Sequence, residues 1–321
     1  MMQSRFATTG IPIDLRCEIP SVREVLARCT IELAEPAPAP LSITIESERL
    51  PFETDGWEPV TRSSLHRDGN VVVHDVATSG FDLLLRADAA GGDLVFRRSA
   101  SFRSRFLRAA LPARGRLLLR SALLQYPAMW WAGTRDRAPL HAPVLTVGDE
   151  TVLLVGASGV GKSTLVHREA SEGARVVSDN LAVSDGYRVW GVVEPSRIEG
   201  DSGPRTTNGR REVELPGRVS DLVPDRVVIL RRGERASTKP SSPAAAARML
   251  VASTYAAGEL RRFWPFAATL AAATGIAPPH PPVQDVARRI TERCECIELA
   301  VPEGGGLRLR EMLERVTTSC G

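Results

Sequence analysis

The chain has no apolar stretch approaching the roughly 18 to 20 residues that a membrane-spanning helix requires, so neither a span nor a membrane partner is expected. Its most hydrophobic helix-like segment, residues 107–131, is interrupted by Pro112, Arg114, Gly115, Arg116, Arg120 and Pro127, which predicts a kinked, partly buried helical region. Cysteines are few and odd in number: five, at positions 17, 29, 294, 296 and 320, fitting neither a disulfide framework nor the paired spacing of a zinc site. Cys294 and Cys296 face the same way on a predicted strand, but two thiols do not make a tetrahedral metal site. Residues 1–16 lack the continuous apolar core of a signal peptide, and a reducing cytoplasm is the expected compartment. There is also little excess charge. At a net +3 the overall field gives no reason to invoke a nucleic-acid partner, although residues 97–120 are locally basic.

What is present is enough chain for two domains, since single hydrophobic cores stop growing below about 250 to 300 residues and this chain has 321. Residues 1–135 read as a β-rich N-terminal module with a helical linker, its strands predicted at 41–45, 70–76, 81–86 and 93–96 and separated by Gly and Asp punctuation. The Pro/Ala run at residues 35–40 reads as a stiff connector. Residues 136–321 read as an α/β catalytic domain with a mixed sheet and a helical C-terminal part. Its opening is a hairpin of strands at 144–147 and 151–155, followed by a helix from Lys162 ending at Gly173 and a strand at 174–178. Asp185-Gly186 marks a second hairpin, 226–230 a buried strand, 244–257 and 259–273 helices, and 294–299 the last strand, flanked by helices.

The chemistry is concentrated in Gly156-Ala157-Ser158-Gly159-Val160-Gly161-Lys162-Ser163-Thr164, which matches G-x-x-x-x-G-K-[ST] between a predicted strand and a predicted helix. Glycines let successive N–H groups turn inward as an anion nest at a helix N-terminus, where the helix dipole also favours phosphate. Lys162 supplies a cation to the β and γ phosphates, and Ser163 offers a hydroxyl to magnesium. A nucleoside triphosphate with Mg2+ is therefore the expected ligand. The loop alone names no reaction, and neither an LSGGQ-like signature nor an Asn-Lys-x-Asp motif accompanies it.

The neighbours of the loop are more informative. Leu140-His141 precedes the hairpin, with His141 fifteen residues before Gly156, and Gly173-Ala-Arg175-Val-Val-Ser-Asp179-Asn180 follows the loop helix. This order resembles the catalytic domain of HPr kinase/phosphorylase and its relatives, over about residues 138–235. In that family the second residue of an Asp-Asp pair is the proton acceptor; here it is Asn180, and an amide takes no proton at neutral pH. The resemblance therefore passes the role of base or magnesium ligand to Asp179. It implies a phosphoryl-stabilising role for His141 and magnesium binding by Glu194, in Glu194-Pro-Ser-Arg197, and it offers Arg197, Arg210 and Arg218 as candidate phosphoryl-contacting groups. The HPr-recognition features and hexamer-forming helices of the bacterial regulator have no match. The chain is thus similar to a divergent relative, such as the peptide serine kinases of modified-peptide biosynthetic clusters.

The expected function is an ATP- and magnesium-dependent kinase acting on a Ser hydroxyl of a peptide or protein. A nucleotide-gated peptide- or protein-binding module with little catalysis, and a small-molecule kinase, are the alternatives. Self-association into a homo-oligomer is left open. Trp130, Trp131 and Trp264 are weighed as substrate-lining aromatics against ordinary core residues, and residues 255–264, with Glu259, Arg261 and Arg262, are read as a helix facing the site.

Overall fold

A computed structural model describes residues 2–32, 38–99, 111–199, 203–206, 209–302 and 308–317. Part of the Pro/Ala run, the start of the segment at 107–131, and Asn208 lie outside the described residues. The chain is mixed α/β, with several mixed sheets, and divides into two compact units. The first is Met1–Arg135 with Pro204–Gly209 and Arg261–Pro281; the second is Asp136–Gly203 with Arg210–Leu260 and Pro282–Gly321.

The first unit is organised by a sheet whose described strands run, in spatial order, Ile31–Glu32, Met2–Thr8, Ile11–Cys17, Leu41–Ile45, Gly92–Arg98, Phe81–Ala87, Asn70–Val73, Ser64–Arg67 and Glu58–Thr61. Alternation of buried and less buried positions in Ile11–Cys17 and Leu41–Ile45 reflects one face turned to a core. The helical region is continuous but irregular: Pro112–Arg120, a π-helical turn at Ser121–Gln125, then Tyr126–Gly133. Trp130 and Trp131 are 1% and 2% exposed, so they are core residues and line no open surface. Trp264 is half-buried and stacks on His280 within this unit.

Residues 261–281 depart from the sequence reading, which runs the second module unbroken from residue 136. Phe263 and Phe266 pack their rings at 5.8 and 5.9 Å on Tyr126 of the first unit, and that aromatic contact draws the segment there. Nor is 259–273 one helix. A 3-10 turn at Gly258–Arg261 precedes the α-helix Phe263–Thr274, with Pro265 in its first turn.

The second unit holds a six-stranded sheet in the order Val176–Ser178, Val144–Val147, Glu150–Val155, Arg226–Gly233, Glu295–Pro302, Ser237–Pro240. Its centre is parallel: Glu150–Val155 pairs with Arg226–Gly233, and that strand with Glu295–Pro302. Glu150–Val155 and Arg226–Gly233 carry the continuous buried apolar runs that burial on both faces requires. Val152, Leu154, Val228, Leu230 and Leu299 form its core with Leu165, Val166 and Ala170 of the helix Lys162–Ser171. A smaller sheet orders Ala138–Leu140, Ala182–Ser184, Val189–Gly191 and Asp221–Leu222, and Ser196–Ile198 pairs antiparallel with Arg211–Val213.

Candidate functional site

The site assembles in the second unit where the strand Glu150–Val155 ends. Residues 156–161 then turn into the helix Lys162–Ser171, with Gly156, Gly159 and Gly161 at φ of 155°, 81° and 106°. At Gly156 the requirement is also steric: an added Cβ would lie 2.8 Å from the Leu230 carbonyl oxygen of the neighbouring parallel strand. Ala157, Ser158, Gly159 and Thr164 are exposed and Val160 is buried in the core beneath the loop. Arg232 clasps the loop tip, donating to the Gly159 carbonyl at 2.8 Å.

Lys162 is buried, and its Nζ donates to the carbonyls of Gly156 at 2.7 Å and Ala157 at 3.2 Å. Desolvation brings its pKa down to about 8, against a smaller upward pull from the Glu259 carboxylate. His141 follows the strand Ala138–Leu140; its N–H donates to Thr254 Oγ1 at 3.1 Å and its Nδ1 lies 3.2 Å from the Ser253 carbonyl. Burial, then the positive charge of Lys162, hold the imidazole below its usual range, and so mark the two side chains as electrostatic neighbours.

Ser163 links the loop to the next strand by donating from Oγ to the Asp179 carbonyl at 3.3 Å. Asp179 itself is 4% exposed, and its Oδ2 accepts from Ser196 Oγ at 2.6 Å. Desolvation pushes the Asp179 carboxyl up; the Ser196 hydroxyl opposes this, Glu194 adds to it, and Arg218 and Arg197 oppose it. Asn180 turns its amide to Glu194 Oε1 at 2.7 Å. Glu194, also buried, pairs through Oε2 with Arg197 at 2.9 Å, and Arg197 reaches Glu259 Oε1 at 2.9 Å with its other arm. The two carboxylates hold the Arg197 guanidinium firmly protonated despite its burial. Arg218 donates to the Glu194 carbonyl.

Ser163, Asp179 and Ser196 are joined by hydrogen bonds, and Asn180, Glu194, Arg197, Arg218 and Glu259 by a second set of hydrogen bonds and ion pairs, while Lys162 and His141 feel this second set through charge. Arg210 is exposed, on the stretch that leads into the strand Arg211–Val213. Of the segment at 255–264, Glu259 enters the second set, whereas Arg261 begins the stretch assigned to the first unit. Ser196 is the residue the sequence reading passes over. Its signal is faint, a small hydroxyl between Pro195 and Arg197, and its partner lies seventeen positions away.

Chemically, the loop carries a buried cation, Lys162, at the start of its helix, with the buried carboxylates of Asp179 and Glu194 in the same unit. Among the described residues no three His, Cys, Asp or Glu side chains gather into a metal cage. The oxygen donors of Ser163, Asp179 and Glu194 do suit a hard cation whose remaining ligands are phosphate and water, as for Mg2+. The mutual unfavourable influence of Glu194 on Asp179 is what such a cation would relieve. The described cysteines, Cys17, Cys29, Cys294 and Cys296, are buried free thiols. No helix among the described residues is long and apolar enough to cross a membrane.

No family model matches the chain, and no curated protein does. Among solved structures 43 chains match. One is the Hpr(Ser) kinase/phosphatase from Coxiella burnetii, 21% identical over 29% of this chain, with a TM-score of 0.24. The aligned part spans 59% of that chain's length.

Proposed function

We propose that the second unit binds ATP with Mg2+ on the loop Gly156–Ser163 and transfers the γ-phosphoryl group to a hydroxyl, that of a Ser in a peptide or protein. The observation that carries the reading is the attachment of the loop to Asp179: Ser163 donates to the Asp179 carbonyl, and the Asp179 carboxylate is buried beside it. Lys162 and the loop amides hold the phosphates; Ser163, Asp179 and Glu194 hold the magnesium, which neutralises charge that shifts during transfer. Burial raises Asp179 towards the working pH, where a general base is most effective. Ser196 donates to Oδ2, and the carboxylate so held is the group that takes the acceptor proton or the metal. Asn180 has a separate task, donating to Glu194, where a second carboxylate would repel it. His141, kept neutral at pH 7 by burial and by Lys162, is a hydrogen-bond partner for the phosphoryl group rather than a charged one.

The test is mass spectrometry of Ser-containing peptides, starting with any encoded beside this protein, after incubation with the full chain, ATP and Mg2+. A gain of about 80 Da per acceptor, the mass of one phosphoryl group, absent with Lys162→Ala, is the expected result. ATP binding without transfer to peptide or metabolite would replace the kinase by a nucleotide-gated binding module; consumption of ATP tracking a metabolite would make it a small-molecule kinase.

A further inference from the structure

Arg197 is shared. One arm of its guanidinium donates to Glu194 at 2.9 Å and the other to Glu259 at 2.9 Å. Glu194 belongs to the proposed magnesium set; Glu259 stands on the turn Gly258–Arg261, after the helix Pro243–Ala256. That helix already holds His141 through the Ser253 carbonyl and the Thr254 hydroxyl. The negative field of Glu259 reaches both Lys162 and His141, raising each against the effect of burial. A guanidinium divided between two carboxylates fully neutralises neither; with one removed, it pairs with the other alone.

We propose that Glu259 is a positioning residue of this site: by drawing on Arg197 it leaves Glu194 the surplus negative charge that a magnesium ion requires. The turn after the helix, outside the segment that carries the family resemblance, is then a working part of the site. The inference rests on the Mg·ATP reading above and assigns Glu259 no contact with the nucleotide.

The experiment titrates Mg2+ into the full-length protein at a fixed concentration of a fluorescent ATP analogue, for wild type, Glu259→Gln and Glu259→Asp, and repeats the nucleotide titration in excess chelator. In Glu259→Gln the Mg2+ concentration for half-maximal binding rises about fivefold or more, from loss of a nearby charge. Metal-free affinity stays level or tightens, because an anion that opposed phosphate at Lys162 is gone. A variant that is merely loosened weakens in both titrations, which overturns the inference. Glu259→Asp, with the charge on a shorter arm, falls between, and decides the matter by the same criterion should the Gln variant not fold. Unchanged Mg2+ dependence in a folded variant overturns the inference and leaves the nucleotide site standing; a wild type that binds no analogue overturns both.

Discussion

Lys162 enters the site with its ammonium turned onto two loop carbonyls and its pKa near 8, so its charge is lost within an accessible pH range. Anion binding needs the protonated form. ATP affinity is therefore expected to hold steady below about pH 8 and to fall as pH rises through that value; a flat profile from pH 7 to 9 by calorimetry would contradict it. The same depression acts on folding with a definite sign. Between about 8 and the ordinary 10.5 the unfolded chain binds the extra proton, so this group's contribution to stability grows with pH across that window. The place of Lys162 and Ser163 at a helix start was legible in the sequence, because the strand, the glycines and the helix start are local signals. Ser196 and Glu259 were not assigned roles, because their significance depends on partners 17 and 62 positions away, Asp179 and Arg197.

At the scale of elements, the strand–loop–helix 150–171 was readable almost residue by residue: the apolar run, the glycines and the helix start are each local signals. The glycine at 156 has a packing role of its own in the fold. Gly156→Ala puts a Cβ against the Leu230 carbonyl in a backbone conformation that L residues rarely adopt, and is expected to cost roughly 1–3 kcal/mol, as overpacking does. Denaturant unfolding measures this, and a loss under about 0.5 kcal/mol, the range of a neutral surface change, would contradict the packing. The first hairpin, Met2–Thr8 with Ile11–Cys17, shows the opposite case. Its strands are seven residues each, but its turn, Thr9-Gly10, is a weak local signal, and the second strand is fixed by parallel pairing with Leu41–Ile45, a partner some thirty positions away.

For the molecule as a whole, the chain divides into two compact units whose boundaries are not intervals in the sequence. Residues 261–281 return to the first unit because Phe263 and Phe266 find Tyr126 there, a contact across some 140 positions that no local pattern encodes. Phe263→Ala, at a fully buried ring, is expected to cost about 3–5 kcal/mol. Hydrogen exchange should quicken in the first-unit sheet and leave the strand Glu150–Val155 protected; loss of protection confined to the second unit would contradict the assignment.

The central claim is that Asp179 performs the chemistry beside a loop that binds the nucleotide. The measurement that tests it most directly is the Asp179→Asn variant in the phosphoryl-transfer assay, with ATP binding followed in parallel. The account predicts transfer lowered by at least about a hundredfold, the lower range for a general base, with ATP binding largely retained. Transfer at the wild-type rate would contradict it.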